Sequence, residues 1–260
     1  MTTIPESLKA PLTELLLSTA DDKFLLGHRN ADWTGLGPIL EEDIAFSSIA
    51  QDEIAHAEVL YQFIHTQLGG AKPDDLAYGR EPREYRCAAL VELGDEFDWS
   101  RAIVRQFFCD HFDAVRLGRL AASSWPTLAV LAGRLLAEER AHVQHADTWI
   151  VRLGRGTPES HDRMQRAIDA LWPDTGSLFE AVWGEGLLEP SGVYPRGDER
   201  MSVTWHRSIA ERAGEAGLTV PASVPKQKQP GGRAGQHTPQ FEELLAELCE
   251  VYRVEPKAAW

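Results

Sequence analysis

The sequence predicts an all-α protein, with a ferritin-like four-helix core over residues 1–155 and further helices and a loop over 156–260 packed on it as a single domain overall. Three observations carry that prediction. Apolar residues recur at alternating steps of three and four through long stretches, as they do on a helix with one buried face. Gly and Pro cluster between those stretches and punctuate them. Two Glu-x-x-His pairs, Glu53-Ile-Ala-His56 and Glu139-Arg-Ala-His142, each sit inside an apolar stripe.

Taken in order, the first helix spans Leu8 to Asn30, after which Trp33-Thr-Gly-Leu-Gly-Pro38 turns the chain. The second runs from Glu41 to Leu68 and stops at Gly69-Gly70. Its opening carboxylates, Glu41, Glu42 and Asp43, complement the positive end of the helix dipole. Glu42 lies about 16 Å along the axis from Glu53, out of reach of one shared cluster. A polar connection, Lys72 to Arg83, leads to a segment ending at Glu96. The third helix covers Ser100 to Ser123, and Pro126 restarts the chain as a fourth that ends near Gly154. Thr157-Pro158-Glu159 opens a fifth, with a capping hydroxyl and Pro in the first turn, and Pro173 breaks it after Trp172. From Gly217 to Gln236 the chain is rich in Pro, Gly, Lys and Gln and reads as a loop. Thr238-Pro239 starts a last amphipathic helix through Phe241, Leu244, Leu245, Leu248 and Tyr252.

The two pairs define the candidate site. Residues three apart share a helix face, so each pair aims a carboxylate and an imidazole at one point. Two such pairs on neighbouring helices, each joined by a carboxylate from another helix, make the dimetal centre of ferritin-like bundles. The first stripe is Phe46, Ile49, Glu53, His56, Leu60 and Phe63; the second is Leu128, Ala132, Leu135, Glu139, His142, Ala146 and Trp149. A carboxylate among such neighbours must be protonated, paired or metal-bound. Satisfied polar pairs in the core, hydrogen-bonded to Arg or to each other, are the alternative to metal.

The helix before each pair offers the further carboxylate. Asp110 lies in the stripe Ile103, Phe107, Asp110, Ala114 and Leu117, with Asp113 as its rival one turn on. Asp22 lies in the stripe Leu12, Leu15, Asp22 and Leu26, with Asp21 as its rival. The expected metal ligands are therefore Asp22, Glu53, His56, Asp110, Glu139 and His142. Two iron ions, or manganese, are the expected cofactors if that set is occupied, since carboxylates and imidazoles suit those metals better than zinc. Lys23 competes: a one-residue rotation of the first helix puts an ammonium where a metal would sit, and one ion or none is then expected. His145 either supports His142 or faces solvent, and His65, His111 and His161 read as surface histidines.

Composition excludes several other classes. A formal net charge of −14 disfavours nucleic acid and anionic membrane surfaces as partners. No apolar run approaches a membrane span and no signal peptide opens the chain, so a cytoplasmic protein is expected. Cys87, Cys109 and Cys249 form no Cys-x-x-Cys pair, which argues against a disulfide framework or zinc ribbon. Neither a dinucleotide fingerprint nor a phosphate-cradling loop is present. Lys226, Lys228 and Arg233 form a small basic cluster that reads as a solvated loop.

Ala20-Asp-Asp-Lys-Phe-Leu-Leu-Gly-His-Arg29, Leu40-Glu-Glu-Asp-Ile-Ala45, Met164-Gln-x-Ala-Ile-x-x-Leu-Trp172 and Gly231-Gly-x-x-Gly-x-His-Thr238 resemble the C-type family of bacterial phenylacetyl-CoA epoxidase subunits. These belong to multicomponent ring 1,2-monooxygenases of aerobic phenylacetate degradation. The resemblance implies a ferritin-like fold, a catalytic A-type subunit as partner, a separate flavin and iron–sulfur reductase, and phenylacetyl-CoA in the complex. Self-association is a further expectation. The C-type members of that family are structural partners that have lost much of the ligand set, whereas this chain keeps both Glu-x-x-His pairs. Three readings stay open on these residues. The chain is a structural C-type subunit with a retained dimetal site, or itself a di-iron oxygenase inserting oxygen into the ring of a CoA thioester, or a ferritin-like metal-handling protein.

Overall fold

The computed structural model describes residues 4–94, 96, 98–227 and 229–256. Its α-helices are α1 (Glu6–Ala31), α2 (Leu40–Phe63), α3 (Pro73–Tyr78), α4 (Ala89–Glu92), α5 (Trp99–Ala121), α6 (Pro126–Gly154), α7 (Pro158–Leu171), α8 (Met201–Glu215), α9 (Pro239–Leu248) and α10 (Glu250–Val254). The described residues contain no strand, and no helix among them is long and apolar enough to cross a membrane. The chain forms two compact units from interleaved segments. One comprises 9–94, 180–185 and 229–260; the other comprises 1–8, 95–179 and 186–228.

In the first unit α1 is buried on every side from Leu15 to Gly27, so its sequence has no single apolar stripe to set its rotation. Gly27 sets it instead. A Cβ there would come to 2.7 Å from Ile54 Cγ1 and 3.0 Å from the Ala50 carbonyl oxygen. Only glycine lets α1 lie this close to α2, and the residue one turn earlier, Lys23, is thereby aimed at α2. Helix α2 buries Phe46, Ile49, Glu53, His56, Leu60 and Phe63, the stripe read from the sequence. It opens on Glu41, Glu42 and Asp43 and passes into a π-helical turn, Ile64–Leu68, that ends at Gly69.

The same unit holds a buried loop before α9. Residues Gly232–Ala234 form a 3-10 turn, and a Cβ at Gly232 would fall 2.0 Å from the Cys87 carbonyl oxygen. Arg233 is 3 % exposed, which corrects the expectation of a solvated basic loop; Lys226 is exposed and Lys228 lies outside the described residues. Glu180 anchors the turn by accepting from the backbone N–H groups of Gly231 (2.7 Å) and Arg233 (3.3 Å).

The second unit is built on α5 and α6. Asp98 caps α5 through the Ser100 N–H at 2.9 Å, and Pro126 occupies the first turn of α6. Helix α6 buries Leu128, Ala132, Leu135, Glu139, His142, Ala146 and Trp149, again the predicted stripe. Thr157 and Ser160 form the capping box of α7, and the chain then tightens into a 3-10 segment, Trp172–Phe179. Helix α8, absent from the sequence reading, buries Trp205, Ile209 and Ala213. The Trp205 indole donates to the Phe108 carbonyl at 2.9 Å, and its ring sits 5.4–5.6 Å from those of Phe108, Trp172 and Phe179.

Candidate metal centre

In the α1–α2 unit, Glu53 and Lys23 form an ion pair, Nζ to Oε2 at 2.8 Å, with both side chains 0 % exposed. His56, one turn on from Glu53, is also buried. Asp22 points elsewhere. Its two carboxylate oxygens accept from Arg233 at 2.8 and 2.6 Å, and Oδ1 also accepts from the Ala88 N–H at 2.7 Å. Asp22 is thus corrected from metal ligand to partner of a buried guanidinium, because the phase of α1 set by Gly27 gives the inward position to Lys23. Asp21 is likewise committed: it accepts from Tyr61 (2.7 Å), from Arg80 and from the Arg86 N–H (2.6 Å). Burial first, and the Asp21 carboxylate next, raise the Tyr61 hydroxyl well above the ordinary tyrosine value, so Tyr61 stays a donor.

In the α5–α6 unit, Asp110, Glu139 and His142 are all buried and bring one potential ligand atom each within 4.8 Å of one another. Gln106, one turn before Asp110 on α5, donates to its Oδ1 and fixes that carboxylate. His142 Nδ1 lies 3.7 Å from Glu139 Oε2. Asp113 is engaged by Arg116 on its own helix, which removes it as the rival ligand. His111 is not the surface histidine the sequence suggested: it is buried and its Nε2 lies 2.9 Å from Asp147 Oδ1.

Residues 1–260, the whole chain, match the family model described as "Phenylacetic acid catabolic protein". The chain belongs to that family. It is 31 % identical over 251 residues to the C subunit of the 1,2-phenylacetyl-CoA epoxidase of Escherichia coli (strain K12), covering 96 % of this chain and 99 % of that one. Its role lies in phenylacetate catabolism, and its helical architecture is of the ferritin-like class.

For a phenylacetic acid catabolic protein the question is whether these residues fit a metal pair, and around Glu53 they do not. A metal pair needs its carboxylates free to share two dications, and α1 should supply one of those carboxylates. Here α1 supplies an ammonium instead, which already neutralises Glu53 at hydrogen-bond distance. Asp110, Glu139 and His142 remain a fitting set of oxygen and nitrogen donors for a single cation. Sequence reasoning also passed over Cys87, Glu92 and His237, a second group of possible ligands in the α1–α2 unit. His237 closes the Gly231-Gly-x-x-Gly-x-His-Thr238 stretch, whereas Cys87 and Glu92 lie in the segment between Arg83 and Glu96.

Proposed function

We propose that this chain is the C-type, structural subunit of a phenylacetyl-CoA 1,2-epoxidase, holding a catalytic A-type partner and performing no oxygen chemistry itself. The observation that carries the reading is the buried Lys23–Glu53 pair. A fixed positive charge beside a carboxylate does electrostatically what a metal dication does in a dimetal bundle, with no redox capacity. It relieves the repulsion among buried acids and keeps the helices together. Similarity over nearly the full length of an epoxidase C subunit supports the same assignment. The oxygenase and metal-handling readings both require a metal pair in which Glu53 takes part, and the lysine disfavours each.

Reconstitution tests this. The chain should copurify with an A-type subunit, and epoxidation of phenylacetyl-CoA by that subunit and its reductase should fall at least tenfold when the chain is left out. Adding a Glu139→Ala/His142→Ala variant should restore activity to within about twofold of wild type, since no metal on this chain enters the chemistry. Undiminished epoxidation without the chain would reject the structural role. Epoxidation by the chain and reductase alone would make it the catalyst.

A further inference from the structure

Cys87, Glu92 and His237 occupy a place that neither the dimetal reading nor the structural-partner reading uses. All three lie in the α1–α2 unit, Cys87 and Glu92 at the start and end of the segment leading through α4, and His237 just ahead of α9. Cys87 Sγ is 3.3 Å from Glu92 Oε1 and 3.5 Å from His237 Nδ1, and His237 Nδ1 is 2.7 Å from Glu92 Oε1. The Cys87 and Glu92 side chains are 0 % exposed and that of His237 is 5 % exposed. A sulfur, an oxygen and a nitrogen thus form one small triangle away from bulk water.

We propose that this triangle is a binding site for one zinc-class divalent cation, which locks the Gly231–Thr238 loop to α4. The first support is size. Bonds of about 2.3 Å to sulfur and about 2.0–2.2 Å to nitrogen and oxygen place neighbouring tetrahedral ligands about 3.3–3.6 Å apart. Two of the three separations already have those values, and the third opens by about 0.6 Å as a metal replaces the hydrogen bond between His237 and Glu92. The second support is preorganisation by surrounding groups. Glu92 Oε2 accepts from the Thr238 N–H at 2.7 Å, which leaves Oε1 turned to the triangle. The His237 ring stacks on Phe241 with centroids 4.0 Å apart, fixing the direction of Nδ1. Gly232 completes the cradle, since a Cβ there would lie 3.0 Å from Glu92 Oε1 as well as striking the Cys87 carbonyl.

The charge balance selects a dication. Cys87 loses its thiol proton to solvent, and His237 meets the metal through an unprotonated Nδ1. One thiolate and one carboxylate then cancel a charge of two in a place where a residual charge would be costly to bury. The mixed sulfur, nitrogen and oxygen set suits zinc or cobalt(II), where the carboxylate and imidazole set on α5 and α6 suits iron or manganese. Three protein ligands leave one coordination position for water.

Titration of the full-length, chelator-treated chain with zinc and with cobalt(II) tests the site. One equivalent of zinc should bind, and zinc at about a hundred times its Kd should raise the melting temperature by about 5–10 °C. Cobalt(II) should give a sulfur-to-metal charge-transfer band, present in a Glu139→Ala variant and absent from Cys87→Ser and His237→Gln. Cys87→Ser keeps a donor for Glu92, so a native circular-dichroism spectrum with no cobalt band identifies a lost ligand and not a lost fold. A wild-type chain with no cobalt band and no zinc-dependent melting shift would overturn the proposal and leave a purely hydrogen-bonded latch.

Discussion

Lys23→Met destabilises the chain by about 3–5 kcal/mol, because it strands the Glu53 carboxylate, 0 % exposed, without its ammonium. The large penalty belongs to the charge left behind and not to the bond itself. The double variant Lys23→Met/Glu53→Leu therefore recovers most of the loss, as replacement of a whole buried ion pair by apolar residues is close to neutral or stabilising. Urea denaturation of the four proteins in that cycle measures the coupling, expected at about 3 kcal/mol. Equal destabilisation in the single and double variants would show that Lys23 contributes through packing alone. The same single variant makes a second, independent statement. With the ammonium gone, Glu53 becomes available to a cation, so Lys23→Met should take up more iron or manganese than wild type.

The next largest effect is expected at Arg233. Its side chain is 2 % exposed, and its guanidinium donates to both oxygens of Asp22 and to the carbonyls of Ser18 (3.0 Å) and Arg86 (2.5 Å). Arg233→Ala removes the guanidinium from both oxygens of the buried Asp22 carboxylate and should cost about 3–5 kcal/mol. Arg233→Lys should recover less than half, since a point charge cannot span two carboxylate oxygens and two carbonyls at once. The anchor joins a loop late in the chain to α1, so its loss should also expose α9 and α10 to limited proteolysis. Proteolytic fragments ending near residue 230 in Arg233→Ala but not in wild type check this, and identical digestion patterns would contradict it.

How far the sequence reaches differs from helix to helix for physical reasons. Helices α2 and α6 each bury one face, so a stripe at steps of three and four is enough to place Glu53, His56, Glu139 and His142 inward, and the structure buries all four. Helix α1 is buried on all sides, and an apolar pattern without a solvent face carries no rotational phase. That is why Asp22 looked like a ligand and Lys23 like its neighbour, when the close approach at Gly27 reverses them. Helix α5 misled in the same way at His111, which meets Asp147 of α6, a contact no local pattern encodes. Helix α8 was missed because its buried face is only Trp205, Ile209 and Ala213, set among charged and polar residues. Arg233 and His237 were legible only as members of a Gly-rich stretch, and their partners Asp22 and Glu92 lie far away in sequence.

Metal content is the direct test of the claim that Lys23 replaces part of a dimetal centre. Protein from cells grown with excess iron, analysed by elemental mass spectrometry beside a Glu139→Ala/His142→Ala variant, should contain no more than one iron or manganese ion per chain. Any such ion should be lost from the variant, because Asp110, Glu139 and His142 are the ligand set that remains able to hold it. Two iron or manganese ions per wild-type chain would contradict the account, since no arrangement leaves the Lys23 ammonium against Glu53 and a metal pair in the same place.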